Sequence, residues 1–129
     1  MSKEQKFFFC KHCKNLTASL FSSGIPMVCC GEVMKEIIPN SVDAAVEKHK
    51  PVVTITSDGN ISVNIGEAPH PMIEEHYIEW IFIETSKGGS FKYLKPNEKP
   101  FAEFIILPDE QIIKVYSYCN IHGLWVNVI

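Results

Sequence analysis

Five cysteines and five histidines carry the most conspicuous chemistry in this sequence, and they fall into two sets. Cys10, Cys13, Cys29 and Cys30 crowd into the first thirty residues, with His12 among them. Cys119 stands near the other end, and His49, His70, His76 and His122 share the rest of the chain with it. A C-x-x-C pair lets two thiolates grip one tetrahedral metal from a tight turn. A second pair completes a four-sulfur site that suits zinc or a single iron. Cys29 and Cys30 are adjacent, so the backbone must distort for both sulfurs to reach one ion. Residue types alone leave zinc and iron open, as well as a redox-active C-x-x-C pair or buried free thiols. His12, inside the knuckle, is expected to face solvent.

A lone histidine in a β protein is usually a satisfied surface or core residue, but four are harder to dismiss. His49 lies in Glu47-Lys48-His49-Lys50-Pro51, and His70 stands between Pro69 and Pro71. His76 follows Glu74-Glu75, and His122 belongs to Cys119-Asn120-Ile121-His122-Gly123. Prolines and glycine stiffen loops, and rigid loops are where sites are built. Cys119 and His122 are three apart, so one turn can aim both at one metal. Neutral imidazoles with one thiolate suit a redox iron or copper better than magnesium or calcium.

The two sets imply two units, residues 1–38 and 39–129, with the break at Pro39-Asn40-Ser41. A unit this small cannot build a self-sufficient core and is expected to need a metal staple. Its extended pieces are expected around Phe7–Phe9 and Met34–Ile38, with a turn at Ser22-Ser23-Gly24. The second unit reads as seven strands: Val52–Thr56, Ile61–Ile65, Tyr77–Glu84, Phe91–Leu94, Ala102–Ile106, Ile112–Tyr118 and Leu124–Val128. Turn signals at Asp58-Gly59-Asn60, Lys87-Gly88-Gly89 and Pro96-Asn97 separate several of them. In the third, Ile78, Trp80 and Phe82 are expected to share one face. Tyr77, Trp80, Tyr116, Tyr118 and Trp125 read as packing residues. Ser41–Lys48 is expected to form a short helix capped by Ser41 or Asp43. The fold class is therefore mainly β: a small metal-stapled β unit, then an immunoglobulin-like seven-stranded sandwich.

Composition narrows the function classes. With 129 residues, 46% hydrophobic, the chain is long enough for one real core and too apolar for disorder. A net charge of −3 argues against non-specific nucleic-acid binding. No apolar run approaches the length of a membrane span, and Phe7–Phe9 is too short for a signal peptide. A cytoplasmic protein is expected, in which clustered cysteines are metal ligands or catalytic groups more often than disulfides.

In order, the motifs are C-x-x-C, C-C, E-K-H-x-P, A-P-H-P-M-x-x-x-H-Y-I-E-W and C-N-x-H-G-x-W. Together they resemble desulfoferrodoxin, the two-iron superoxide reductase family, from Cys10 to Trp125. The first cysteine motif alone also resembles desulforedoxin. Val33 departs from the proline expected in a G-E-P-M turn, which touches no ligand. The resemblance implies that Cys10, Cys13, Cys29 and Cys30 hold a distorted tetrahedral iron for electron transfer. It implies that His49, His70, His76 and His122 surround a second iron, with Cys119 as its axial thiolate. The position opposite Cys119 would be open in the ferrous state. Glu47 would occupy it in the ferric state, and Lys48 would lie close by. The implied activity is one-electron reduction of superoxide to hydrogen peroxide without dioxygen release. A homodimer and a rubredoxin-like electron donor are implied as well. Two alternatives stay open: an iron electron carrier without a substrate site, and a structural zinc module.

Overall fold

In the computed structural model, which describes residues 4–42, 44–56 and 58–129, the chain forms two units, Met1–Ile38 and Pro39–Ile129. The first has five short strands: β1 (Lys6–Phe9), β2 (Leu16–Ser19), β3 (Val28–Cys29), β4 (Glu32–Val33) and β5 (Lys35–Glu36). Three form a sheet in the order β2-β1-β5, and β3 and β4 make a separate hairpin. Among the described residues of this unit only Phe7, Cys10 and Met34 are buried. Three side chains make a very small core, so the fold has little apolar burial to rest on.

The β3–β4 hairpin solves the problem of the adjacent cysteines. Cys29 pairs with Glu32, which leaves Cys30 and Gly31 as a two-residue turn with φ of 54° and 75°. Positive φ at both central positions is the type I′ pattern that matches strand twist. Cys29 thus ends a strand while Cys30 turns, and the two sulfurs diverge from one backbone. Strand β2 has no counterpart among the sequence expectations. Leu16–Ser19 is too short and too polar to announce itself, and it forms because it pairs along all of β1.

The second unit holds one helical turn, α1 (Val46–His49), and seven strands. These are β6 (Pro51–Ile55), β7 (Asn60–Ile65), β8 (Ile78–Thr85), β9 (Gly88–Tyr93), β10 (Phe101–Ile105), β11 (Ile112–Cys119) and β12 (Gly123–Val128). All pairings are antiparallel, in two sheets ordered β10-β7-β6 and β12-β11-β8-β9. Each of the seven sequence-predicted segments carries a strand, and the mainly β sandwich architecture holds. Ile61, Val63 and Ile65 of β7 face Ile81 and Ile83 of β8 and Val115 of β11 in one core. Each fully buried aliphatic side chain contributes about 1.5–3 kcal/mol. No helix among the described residues is long and apolar enough to cross a membrane.

Two local expectations are corrected. The helix does not span Ser41–Lys48 but only Val46–His49, with Ala45 at its N-cap and no side-chain cap bond. Asp43 lies outside the described residues. The preceding chain is held against β12 instead: Asn40 N donates to Leu124 O at 2.9 Å, and Asn40 Nδ2 to Val126 O at 3.3 Å. The second correction concerns β8. Ile78 packs in the core with Ile81 and Ile83, while Trp80 stacks on Tyr118 and Phe82 meets Tyr116 edge-on. The register explains it: Tyr118 pairs with Trp80 but Cys119 pairs with Ile78, so Glu79 is an extra residue in a β-bulge. A bulge flips the inward–outward alternation, which no periodicity count anticipates.

Candidate metal centres

The first candidate centre is built by two turns. After β1, the Cys10 carbonyl accepts from Lys14 N at 2.8 Å, and Cys10 N donates to Asn15 O at 2.9 Å, closing a knuckle around Cys13. The type I′ turn supplies Cys29 and Cys30. The four sulfurs lie within 4.8 Å of one another, and Cys13 Sγ is 3.6 Å from Cys29 Sγ. A tetrahedral ion with bonds near 2.3 Å spaces its sulfurs by about 3.8 Å, so these donors fit one metal. All five cysteines of the chain are free thiols. Hydrogen bonding from the Cys13 backbone pulls the Cys10 thiol down to about 6. Hydrogen bonding with the neighbouring thiols pushes Cys30 up to about 12 and raises Cys29. The first thiolate forms readily and opposes the next ones, a conflict that a cation removes. His12 pairs with Glu32 at 3.4 Å on the surface rather than joining the sulfurs.

The second candidate centre sits at one end of the sandwich, where several strand ends converge. His49 closes α1 just before β6. His70 and His76 lie in the connection between β7 and β8. Cys119 ends β11, and His122 lies in the three-residue turn to β12. Cross-strand pairing puts these ends together, since Pro51 pairs with Ile65 and Cys119 with both Ile78 and Gly123.

The rings of His49, His70, His76 and His122 form a closed circuit. Successive centroids lie 4.6 Å (His49–His70), 4.6 Å (His70–His76), 5.1 Å (His76–His122) and 4.7 Å (His122–His49) apart. Neighbouring planes are inclined by 74° to 90°, while His49 and His76 across the diagonal are 6.3 Å apart and inclined by 32°. Donor atoms of His49, His70, His76 and Cys119 lie within 4.8 Å of one another. His122 Nδ1 joins them at 2.9 Å from His49 Nε2 and 3.9 Å from Cys119 Sγ.

Hydrogen bonds fix which nitrogen two of the rings offer. His49 Nδ1 donates to Ala45 O at 2.7 Å, and His70 Nδ1 to Pro71 O at 2.7 Å. A carbonyl only accepts, so the proton is on Nδ1 and Nε2 carries the lone pair. Nε2 of His70 and of His76 are buried without a hydrogen-bond partner among the described residues. Buried polar atoms left without a partner require an explanation, and a shared cation supplies one. Burial lowers the pKa of His49 and His76 and brings His70 to about 4, so these rings are neutral donors near pH 7. Burial raises the Cys119 thiol, while His122 N donates to its sulfur at 3.4 Å. A metal there would displace the thiol proton.

The surrounding loops are tied to one another. Asn120 Oδ1 accepts from Tyr77 N at 2.9 Å, and its Nδ2 donates to Glu75 O at 3.1 Å, which fastens the His76 loop to the Cys119 turn. Asn97, with φ of 70°, donates its N–H to Met72 O at 2.7 Å and steadies the His70 loop from the other side. Glu47 and Lys48 lie on α1, just before His49, with exposed side chains. The Glu47 carbonyl accepts from Glu67 N at 2.7 Å, which docks α1 against the loop leading to His70. Trp125, which reads from the sequence as a packing residue, and Ser117, which belongs to no motif, both touch His49. Their spacing from Cys119 and His122 was the one available signal.

The sequence profile of desulfoferrodoxin matches residues 41–128. The chain belongs to the desulfoferrodoxin family. It is 40% identical to the desulfoferrodoxin of Nitratidesulfovibrio vulgaris over 125 residues, 97% of either chain. It is 38% identical to a superoxide reductase of Pyrococcus horikoshii over 112 residues, covering 74% of this chain and 96% of that one. Among solved structures, the superoxide reductase of Treponema pallidum superposes with a TM-score of 0.80 at 35% identity, covering 96% of this chain and 98% of that one. As a member of the desulfoferrodoxin family with a four-cysteine group and a histidine–cysteine group, the chain carries donor sets suited to two iron centres.

Proposed function

We propose that this protein reduces superoxide to hydrogen peroxide, consuming one electron and two protons per superoxide and releasing no dioxygen. The observation that carries the reading is the circuit of four imidazole rings steeply inclined to one another, with the Cys119 sulfur beside it. The similarity to the superoxide reductases of Pyrococcus horikoshii and Treponema pallidum supports it. On this reading His49, His70, His76 and His122 are nitrogen donors and Cys119 is the sulfur donor of one iron. Cys10, Cys13, Cys29 and Cys30 hold a second iron in a desulforedoxin-like unit at 1–38, ahead of a reductase domain at 39–129.

Iron held by the histidine–cysteine group supplies the ferrous–ferric couple that delivers the electron. The chain's own residues do the rest. The Nδ1–H bonds of His49 and His70 keep their lone pairs pointed inward. With iron bound, the Cys119 thiolate would supply electron density to that couple, as thiolate ligands do in other iron enzymes. Lys48, exposed beside His49, attracts the superoxide anion locally despite the net charge of −3. Glu47, exposed on the same turn, is a carboxylate that would be available as a further oxygen donor to a metal held by this group. His76 and His122 are only partly buried, so water reaches that side and provides protons.

The reading extends to partners. Leu20, Ile25 and Val28 of the first unit are 84%, 79% and 65% exposed, and a second copy of this chain would cover such surface in a homodimer. A rubredoxin-like protein is the proposed electron donor, and the cytoplasm the proposed compartment. The test combines metal analysis, absorption spectroscopy and pulse radiolysis of the purified protein. Two irons per chain and one peroxide per superoxide are expected. A colourless zinc-only preparation would favour the structural module, and bleaching by superoxide without turnover would favour the electron carrier.

A further inference from the structure

Ser117 of β11 and Trp125 of β12 are direct cross-strand partners, and Cys119 with Gly123 is the next pair on the same face. Both side chains are fully buried, at 0% and 2% exposure, and both converge on His49. The Ser117 hydroxyl donates to the His49 carbonyl at 3.0 Å. The Trp125 indole stacks on the His49 imidazole, with centroids 4.9 Å apart and planes inclined by 24°. His49 leads into β6, which belongs to the sheet that does not contain β11 and β12. Backbone ladders do not join the two sheets, so side chains must set the distance between a ligand on one and a ligand on the other. Asn127 adds a second tie, donating from Nδ2 to Pro51 O at 2.9 Å. Trp125 Nε1 is buried without a hydrogen-bond partner among the described residues. An orphaned indole N–H is costly, so the ring is held there by its stacking face rather than by a polar bond.

We propose that the Ser117–Trp125 pair is the positioning element of the histidine–cysteine centre, setting where His49 Nε2 stands relative to Cys119 Sγ. The proposal deepens the function above and rests on it for the identity of the metal. Ser117 reaches His49 from the strand that ends in Cys119, so one hydroxyl registers the ring donor to the thiolate. Trp125 blocks rotation of the imidazole about its χ2. Neither side chain touches substrate; both act through His49.

The test titrates cobalt(II) into the metal-free full chain, reading the thiolate-to-cobalt absorption of each centre. The four-cysteine centre serves as internal standard. Ser117→Ala and Trp125→Leu are expected to weaken cobalt binding at the second centre about tenfold or more and to shift its thiolate band, as loss of outer-shell support does elsewhere. Trp125→Phe keeps a stacking ring and is expected to retain the wild-type band. In the metal-free chain, both disruptive variants are expected to speed amide exchange at Lys50, whose N–H bonds Val46 O at 3.0 Å. A change of affinity without a shift of the band would mean mere destabilisation and would overturn the proposal. So would wild-type affinity in both variants. If Trp125→Leu loses protection throughout the sandwich, Ser117→Ala, which removes a single atom, decides. The two readings separate cleanly. A chain whose cobalt site responds to these variants but whose iron form yields no peroxide sinks the function alone. Peroxide formation with insensitive variants sinks the positioning role alone.

Discussion

His49 is buried although the rest of its helical turn is exposed, and the reason lies in its contacts. Its ring is fixed by Ala45, Trp125 and His122 and its carbonyl by Ser117. Cys119 is equally enclosed, and its role can be tested at the level of a single atom. Cys119→Ser should abolish the thiolate-to-metal band of the second centre in oxidised, iron-loaded protein while leaving the tetrathiolate bands intact. Visible absorption checks this. Lys48 and Glu47, both exposed, call for subtler readouts. Lys48→Ala should slow superoxide capture about tenfold at low salt and flatten its dependence on ionic strength, measured by pulse radiolysis. Glu47→Ala should shift the ferric absorption band and leave superoxide reduction nearly intact; identical spectra would remove the carboxylate from the site.

At the scale of elements, the site depends on how α1, the β7–β8 connection and the β11–β12 turn lock together. Gly66 is the tightest point. It has φ of 85°, and its N–H bonds Lys50 O at 3.1 Å. A Cβ there would stand 2.7 Å from Lys48 O and against Ala68 O. Gly66→Ala must therefore displace α1 or the His70 loop. It should cost roughly 1–3 kcal/mol, seen as a lower melting temperature, and loosen metal binding at the second centre but not the first. Asn120→Ala should act similarly. It removes two solvent-exposed side-chain bonds that anchor the His76 loop, each contributing about 0.5–1.5 kcal/mol.

For the whole molecule, the contrast between the units is energetic. The sandwich has a continuous aliphatic core, whereas the first unit buries three side chains among those described. Removing metal with a chelator should therefore unfold the first unit and leave the sandwich standing. Hydrogen exchange should show protection lost at Phe7–Phe9 and kept at Ile81 and Val115. Simultaneous loss in both units would show that the sandwich depends on the first metal too. Core truncation should behave in the opposite way: Ile81→Ala should cost roughly 2–5 kcal/mol in the sandwich transition alone.

By itself the sequence determined the strands of the sandwich, because β-branched alternation and turn residues are local signals. It also separated the cysteines and histidines into two donor sets, since their types and spacings are written in the chain. Tertiary structure decided the rest. The bulge at Glu79, which returns Ile78 to the core opposite Cys119, arises from pairing between strands and leaves no periodic trace. The helix spans only Val46–His49, and the chain ahead of it is held by Asn40 on β12, a contact 86 residues away in sequence. The support of His49 by Ser117 and Trp125 joins α1 to β11 and β12, which only packing brings together. Local chemistry is legible in one dimension; the distance between two donors is a property of the folded chain.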